Sequence, residues 1–284
     1  MSTSMQGKIC LITGANSGVG KATALGLARM GATVVMVCRS QAKGEETQKE
    51  VQAQSGTGNV HLLLADLSSQ QSIRELVAQF QQQFSQLHVL INNAGMLPLG
   101  RRETVDGLEM TFAVNYLAPF LLTNLLLDTL KASAPARIIN VSSDAHEAGY
   151  INMDDLQAKN GFSFMKVYGQ SKLALVLFTY ELARRLEGTG ITVNALHPGF
   201  VTTNLGQNDI GPFLRAIARV VFLFGISPEK GASTSLYLAS SSDVANVTGK
   251  YFEKSQSHPS APISYDEALQ HRLWEESIKL THVS

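Results

Sequence analysis

Lys8-Ile-Cys-Leu-Ile-Thr13 runs without a break into Gly14-Ala-Asn-Ser-Gly-Val-Gly20, and that junction decides the fold. The first six residues form a short apolar run that ends at a turn signal, the form of a fully buried strand. Beyond the glycines, Ala22, Leu25 and Ala28 recur at helical spacing. Strand, glycine-rich turn and helix in that order open a doubly wound sheet, with backbone N–H groups and a helix N-terminus turned toward a pyrophosphate. Gly14, Gly18 and Gly20 allow the tight turn and the close backbone approach. With Asn16, Ser17 and Val19 they are the candidate phosphate-binding residues. Their spacing is not the standard dinucleotide fingerprint. A plain turn is the alternative, and the strand before and helix after argue against it.

Working outward, runs with strand character recur at 32–38, 60–65, 88–92, 136–142, 190–196 and 249–253, with helical patterns between them. In the segment from Ser72 to Phe84, Ile73, Leu76, Val77, Phe80 and Phe84 hold one stripe while glutamines fill the other face. Continuous apolar strands alternating with helices mean a parallel sheet covered on both sides. The expected fold class is α/β, a single Rossmann-type doubly wound parallel sheet with helices on both faces. No linker, repeat or charge block divides residues 1–284, so a single domain is expected. Ligands of such sheets sit beyond the carboxyl ends of the strands. Arg39, Asp66, Asn92, Ser143 and Pro198 all fall at or just after those ends.

Lys and Arg total 23 against 23 Asp and Glu, which leaves no global field to recruit nucleic acid or an anionic membrane. The seven histidines are scattered without ligand spacing, so no metal is expected. Cys10 and Cys38 fall in predicted buried strands, where a small thiol is ordinary packing. Two cysteines and no h-region in Met1–Gln6 point to the cytoplasm, and no transmembrane run is read.

Tyr168-Gly-Gln-Ser-Lys172 puts a phenol and an ammonium on one face of a predicted helix. A lysine cation beside a tyrosine favours the phenolate, moving a group of pKa about 10 toward neutral pH for acid/base work. Twenty positions past the glycine loop, where an acidic residue would hold an NAD ribose, stands Arg39, whose guanidinium suits a 2′-phosphate, with Lys43 as a second cation. Pro119 lies inside a helical pattern running from about Asp106 to Lys131 and cannot donate to the carbonyl of Asn115. A kink there is expected to free that oxygen for a water. A kink needed only for packing is the alternative.

Thr13-Gly14-x-x-x-Gly18-x-Gly20, Asp66-Leu67, Asn92-Asn-Ala-Gly95, Asn115, Ser142-Ser143, Tyr168-x-x-x-Lys172 and Pro198-Gly199 stand in the order of the short-chain dehydrogenases/reductases. The chain resembles that family over nearly its whole length. Val37-Cys38-Arg39, Ser133-Ala-Pro-Ala-Arg137, Asp155-Leu-Gln157 and Leu273-Trp-Glu-Glu276 make it most similar to the retinol dehydrogenase-like branch. It departs from that branch at Tyr116-Leu117-Ala118, where His and Gly are usual in place of Tyr116 and Ala118.

The resemblance implies catalytic roles for Asn115, Ser143, Tyr168 and Lys172. Ser143 polarises the substrate carbonyl, Tyr168 transfers the proton, Lys172 anchors the nicotinamide ribose and Asn115 belongs to the proton relay. Ser142 packs or hydrogen-bonds locally. For NADP(H) it implies contacts from Asp66 and Leu67 at the adenine, from Asn92, Ala94 and Gly95 beside the ribose, and from Pro198, Gly199, Val201 and Thr203 near the nicotinamide. A substrate lid over about 204–226 and a C-terminal helix over about 265–280 complete the expected domain. Leu214, Ile217, Val221 and Phe224 form the lid's apolar stripe, with peripheral membrane contact as a minority reading. The helix through Leu173–Phe178 is expected to support a homo-oligomer. His146 is read as incidental to the pocket.

The expected function is an NADP(H)-dependent oxidoreductase for an apolar aldehyde or ketone or the corresponding alcohol, with retinal or an apocarotenal among the candidates. Two alternatives stand beside it: a catalytically silent dinucleotide-binding sensor or scaffold, and a light-dependent tetrapyrrole reductase.

Overall fold

The computed structural model describes residues 4–200 and 226–283. Eight strands make one sheet in the order β3-β2-β1-β4-β5-β6-β7-β8. They are β1 (Ile9–Thr13), β2 (Thr33–Cys38), β3 (Val60–Leu64), β4 (Val89–Asn92), β5 (Ala136–Val141), β6 (Ile191–His197), β7 (Lys250–Glu253) and β8 (Gln256–His258). All neighbours pair in parallel except β7 with β8, which form an antiparallel hairpin. The order reverses between β1 and β4, which creates the switch point where such sheets bind ligands.

Alternate side chains of each strand go to opposite cores. Leu11, Val35, Leu90 and Ile138 face a layer made by α3 (Gln70–Gln83), α4 (Met110–Ala132), α5 (Phe164–Arg185) and α7 (Glu267–Thr281). Cys10, Ile12, Met36 and Ile91 face α1 (Gly18–Arg29), α2 (Gln41–Ser55) and α6 (Pro228–Ser240). Burying one such aliphatic side chain contributes roughly 1.5–3 kcal/mol, so the two cores together hold the sheet against both helix layers.

Helix α4 breaks its regular ladder beside Pro119. Residues Ala113–Leu117 form a π turn, with the Ala118 N–H reaching back to the Ala113 carbonyl. Pro119 cannot continue the ordinary ladder at Asn115, and the chain absorbs the missing donor by widening the preceding turn, a device frequent at functional sites. Met110–Ala132 is also long and apolar enough to cross a membrane, at mean hydropathy 1.5. Its 78% burial explains that composition as the core helix of this layer.

Helix α5 is not left with a free apolar face. Leu173 through Phe178 are each at most 2% exposed. Val176 packs with Ala195 and Tyr251 of the sheet, while Phe178 meets Phe120 and, at 5.8 Å between ring centroids, Trp274 of α7. The face expected to meet a second copy is covered by the chain's own C-terminal helix. Tyr116, the departure from the branch pattern, has its hydroxyl 2.6 Å from Ser277 Oγ and so helps to dock α7.

Candidate active site

The glycine loop closes the gap between β1 and β4. Gly14 has φ +66°, and a Cβ there would lie 2.9 Å from Ala94 Cα. At Gly20 a Cβ would lie 2.3 Å from the Gly14 carbonyl oxygen. Asn93 fastens the two segments: its backbone N–H donates to Thr13 Oγ1 at 3.0 Å and its amide to the Thr13 carbonyl at 2.8 Å. Ala94 N–H shares the same threonine hydroxyl. On the other side, Thr47 of α2 donates to the Asn16 carbonyl. Ser17 is the N-cap of α1, yet its side chain makes no capping bond, and no acidic residue occupies the first turn. The first N–H groups of α1 therefore face outward from a glycine cradle that leaves no room for side chains. That cradle fits a dinucleotide pyrophosphate.

Asn93 is the residue that sequence reasoning passed over in favour of Asn92. The two are adjacent, and strand alternation sends them opposite ways. Asn92 spends its amide inside the molecule, donating to Thr123 Oγ1 at 3.0 Å and Asn140 Oδ1 at 2.8 Å. It braces β4 against α4 and β5, and its side chain is not turned to a ligand.

Arg39 and Lys43 are exposed and flank the start of α2, which Ser40 caps by accepting the Lys43 N–H. Asp66 accepts from the Ser68 N–H and hydroxyl with one oxygen. Leu67 packs at the edge of the core formed by α3 and α4. Pro198 and Gly199 follow β6, and Phe200 accepts the Ile226 N–H. Val201, Thr203 and residues 204–225 of the expected lid lie outside the described residues.

Asn115 and Lys172 meet beside Gly95, Lys172 lies over the Tyr168 ring, and Tyr168 is hydrogen-bonded to Ser143. A Cβ on Gly95 would be 3.5 Å from both Asn115 Oδ1 and Lys172 Nζ. Asn115 is fully buried and locked by the Met96 backbone, accepting from its N–H at 2.8 Å and donating to its carbonyl at 3.0 Å. Its amide also reaches Ser171 Oγ at 3.1 Å. Lys172 donates to the Val141 carbonyl at 3.0 Å, and its Nζ sits 5.7 Å from the Tyr168 ring centroid. Close approach of Gly149 to Gly169, where a Cβ would lie 2.5 Å from the Gly169 carbonyl, seats the loop after Ser143 on the helix carrying Tyr168.

Of the paired serines, Ser142 donates to the Lys172 carbonyl and is spent there. Ser143 has extended backbone, half-buried, with Oγ donating to Asp144 Oδ1 at 2.8 Å.

Protonation runs against the expected lysine effect. Burial raises the Tyr168 pKa above its ordinary value, the Ser143 side chain pulls it down through hydrogen bonding, and the Asp144 charge pushes it up. Burial also lowers Lys172 to about 8. Desolvation disfavours the charged form of each, and it is the largest cause of both shifts. His146 is fully buried and both its ring nitrogens are engaged.

Among the described residues no group of histidine, cysteine and carboxylate side chains is arranged to hold a metal ion.

The short chain dehydrogenase family profile matches residues 8–210. Human retinol dehydrogenase 13 is 45% identical over 286 residues, covering 96% of this chain and 84% of that protein. Human retinol dehydrogenase 14 is 45% identical over 288 residues, with coverage of 96% and 86%. A solved Mycobacterium paratuberculosis protein, itself uncharacterized, superposes with a TM-score of 0.81 at 33% identity over 100% of this chain and 96% of that one. The Pseudomonas aeruginosa RhlG/NADP active-site complex superposes with a TM-score of 0.70 at 29% identity, covering 88% and 95%.

Proposed function

This chain belongs to the short-chain dehydrogenase/reductase family, in its retinol dehydrogenase-like branch, and we propose that it interconverts an apolar aldehyde or ketone with the corresponding alcohol using NADP(H). The observation that carries this reading is the linked set Asn115, Lys172, Tyr168 and Ser143, which begins beside Gly95, next in the chain to the Ala94 that Gly14 packs against.

When bound, the reduced nicotinamide supplies a hydride to the carbonyl carbon. Gly18, Val19 and Gly20 would receive the pyrophosphate through backbone N–H groups at the start of α1, while Gly14, whose N–H is held by the Val37 carbonyl, makes the tight turn before them. Arg39 and Lys43 hold the 2′-phosphate, a task for which a guanidinium is well shaped. Ser143 turns its hydroxyl from Asp144 to the substrate oxygen, and Tyr168 gives its proton to the alkoxide that forms there. Lys172, one turn below Tyr168 and buried, orients the nicotinamide ribose. Asn115 holds the Met96 backbone and with it the floor of the site.

The apolar substrate class is supported by exposed apolar side chains near Tyr168 and beyond β6. Phe164 and Met165 precede Tyr168 by about one helical turn on α5, at 36% and 55% exposure, and Phe200 beyond β6 is 55% exposed. Retinol dehydrogenase relatives and an NADP complex among the structural neighbours support the same choice of substrate and nucleotide.

The test is turnover by the purified protein of a straight-chain aldehyde series and of retinal, with NADPH and with NADH. The expected result is NADPH-dependent reduction whose kcat/KM rises with chain length. Tight NADPH binding without turnover of any aldehyde, ketone or alcohol would support the silent dinucleotide-binding reading instead.

A further inference from the structure

Around Ser143 the backbone is held from an unexpected direction. His146 Nδ1 lies 2.7 Å from the Ser143 carbonyl oxygen, and His146 Nε2 accepts the Ala261 N–H at 3.1 Å. Because Nε2 accepts from a backbone donor, the neutral ring carries its proton on Nδ1 and donates it to Ser143. The ring is fully buried and stacks obliquely on Tyr251 at 4.6 Å between centroids. Burial also holds its pKa below the usual histidine range.

Ala261 opens the turn Pro262–Tyr265, which leads into α7. A buried polar chain fixes that turn. The Tyr180 hydroxyl is 2.6 Å from Ser260 Oγ, Ser260 Oγ is 2.7 Å from Ser264 Oγ, and Gln270 of α7 donates to the Ser264 carbonyl at 2.7 Å. His146 is thus the last link between the seated C-terminal segment and the residue before Asp144.

We propose that His146 is a positioning residue: through its Nδ1–H bond to the Ser143 carbonyl and its Nε2 bond to Ala261, it sets the Ser143 hydroxyl in place only when the C-terminal segment is docked. The proposal rests on the role given to Ser143 above. The physical reason is that the Ser143 carbonyl fixes the backbone direction from which Oγ projects. A hydroxyl misplaced by about 1 Å costs catalysis out of proportion to the lost contact.

Side-chain amides separate the two bonds. Asn places a donor near the Nδ1 position, Gln reaches the Nε2 position without that donor, and Leu supplies neither. His146→Gln and His146→Leu are expected to lower kcat for NADPH-driven reduction of decanal by roughly ten- to a hundredfold, per folded enzyme, with the NADPH Kd within about twofold of the unmodified protein, since the glycine cradle is untouched. His146→Asn, which keeps the donor to Ser143 but not the bond to Ala261, should recover only part of that loss.

Two outcomes overturn the proposal through kinetics: kcat within about twofold in the Gln and Leu variants, or equal losses in Asn, Gln and Leu that follow the fall in Tm. Ser143→Ala separates this idea from the reading beneath it. An inactive Ser143→Ala beside a fully active His146→Gln sinks only the proposal, whereas an active Ser143→Ala sinks both. Should the His146 variants fail to fold, ¹⁵N NMR of the unmodified protein decides. A neutral Nδ1–H tautomer is expected, and an Nε2–H tautomer overturns the coupling.

Discussion

Lys172 holds its Nζ 5.7 Å from the Tyr168 ring centroid while giving its hydrogen bond to the Val141 carbonyl. The pair shares a helix face one turn apart, yet Lys172 is buried and Tyr168 half-buried, and desolvation pushes both toward neutrality. In the free protein the lysine is an expensive group kept for binding. An anionic dinucleotide beside it would favour the ammonium again, because a nearby opposite charge stabilises the charged form.

That cost is measurable. Lys172 has a folded pKa depressed to about 8 from 10.5. The unfolded chain therefore binds more protons between those values, and this group's contribution to stability rises with pH through that window. Lys172→Met should be more stable than the unmodified protein at pH 7, by roughly 3 kcal/mol at most for a shift of this size, and the advantage should shrink as pH passes 8 toward 10.5. Tm measured for both proteins across that range checks it; a difference independent of pH would mean Lys172 is not carrying a buried charge.

Tyr168→Phe should reduce carbonyl reduction by roughly 10²- to 10⁴-fold while NADPH binding survives, since only the transferable proton is lost. The pH profile carries a second sign. Burial and the Asp144 charge keep Tyr168 protonated at neutral pH, so reduction fails only as pH rises through the tyrosine pKa. Removing the charge with Asp144→Asn should move that alkaline limb of kcat/KM to lower pH. An unchanged limb would detach Asp144 from the tyrosine.

Arg39→Asp should weaken NADPH far more than NADH, because it replaces the proposed partner of the 2′-phosphate by a like charge. The ratio of the two kcat/KM values is the readout. If that ratio barely moves, Arg39 is only a solvated residue at a strand end.

How far the sequence carried these sites depended on local physics. Seven strands were legible because parallel, twice-buried strands read as unbroken apolar runs. β8 was not, since Gln256–His258 is polar and exposed and its turn residues Lys254 and Ser255 take φ of +49° and +61° without a glycine or asparagine to announce it. Tyr168 and Lys172 were readable from spacing alone, but their protonation was not, because burial is a property of the packed helix. Asn93 and Asn92 are the same residue type one position apart, and only the pleat tells which one faces the glycine loop. Pro119 marked the break in the ladder correctly; the widened turn that answers it depends on the surrounding layer. His146 had no local signal at all, as its partner Ala261 lies 115 positions away.

Packing around Leu173–Phe178 argues for a monomer rather than the expected homo-oligomer. Trp274 of α7 lies against Phe120 at 4.9 Å and Phe178 at 5.8 Å between ring centroids, with the Arg185 guanidinium 4.1 Å from its ring. Glu181 adds ion pairs to Arg184 and Arg185 beside it. An apolar face already filled by an aromatic anchor has nothing left to offer a second copy of α5, so a monomeric mass at micromolar concentration is expected by light scattering. Trp274→Ala empties that contact and should cost about 3–5 kcal/mol, the usual range for deleting a buried aromatic. It should also expose Phe120 and Phe178, and self-association should then appear with concentration. A stable dimer of the unmodified protein that survives Trp274→Ala would mean that the copies meet on some other surface.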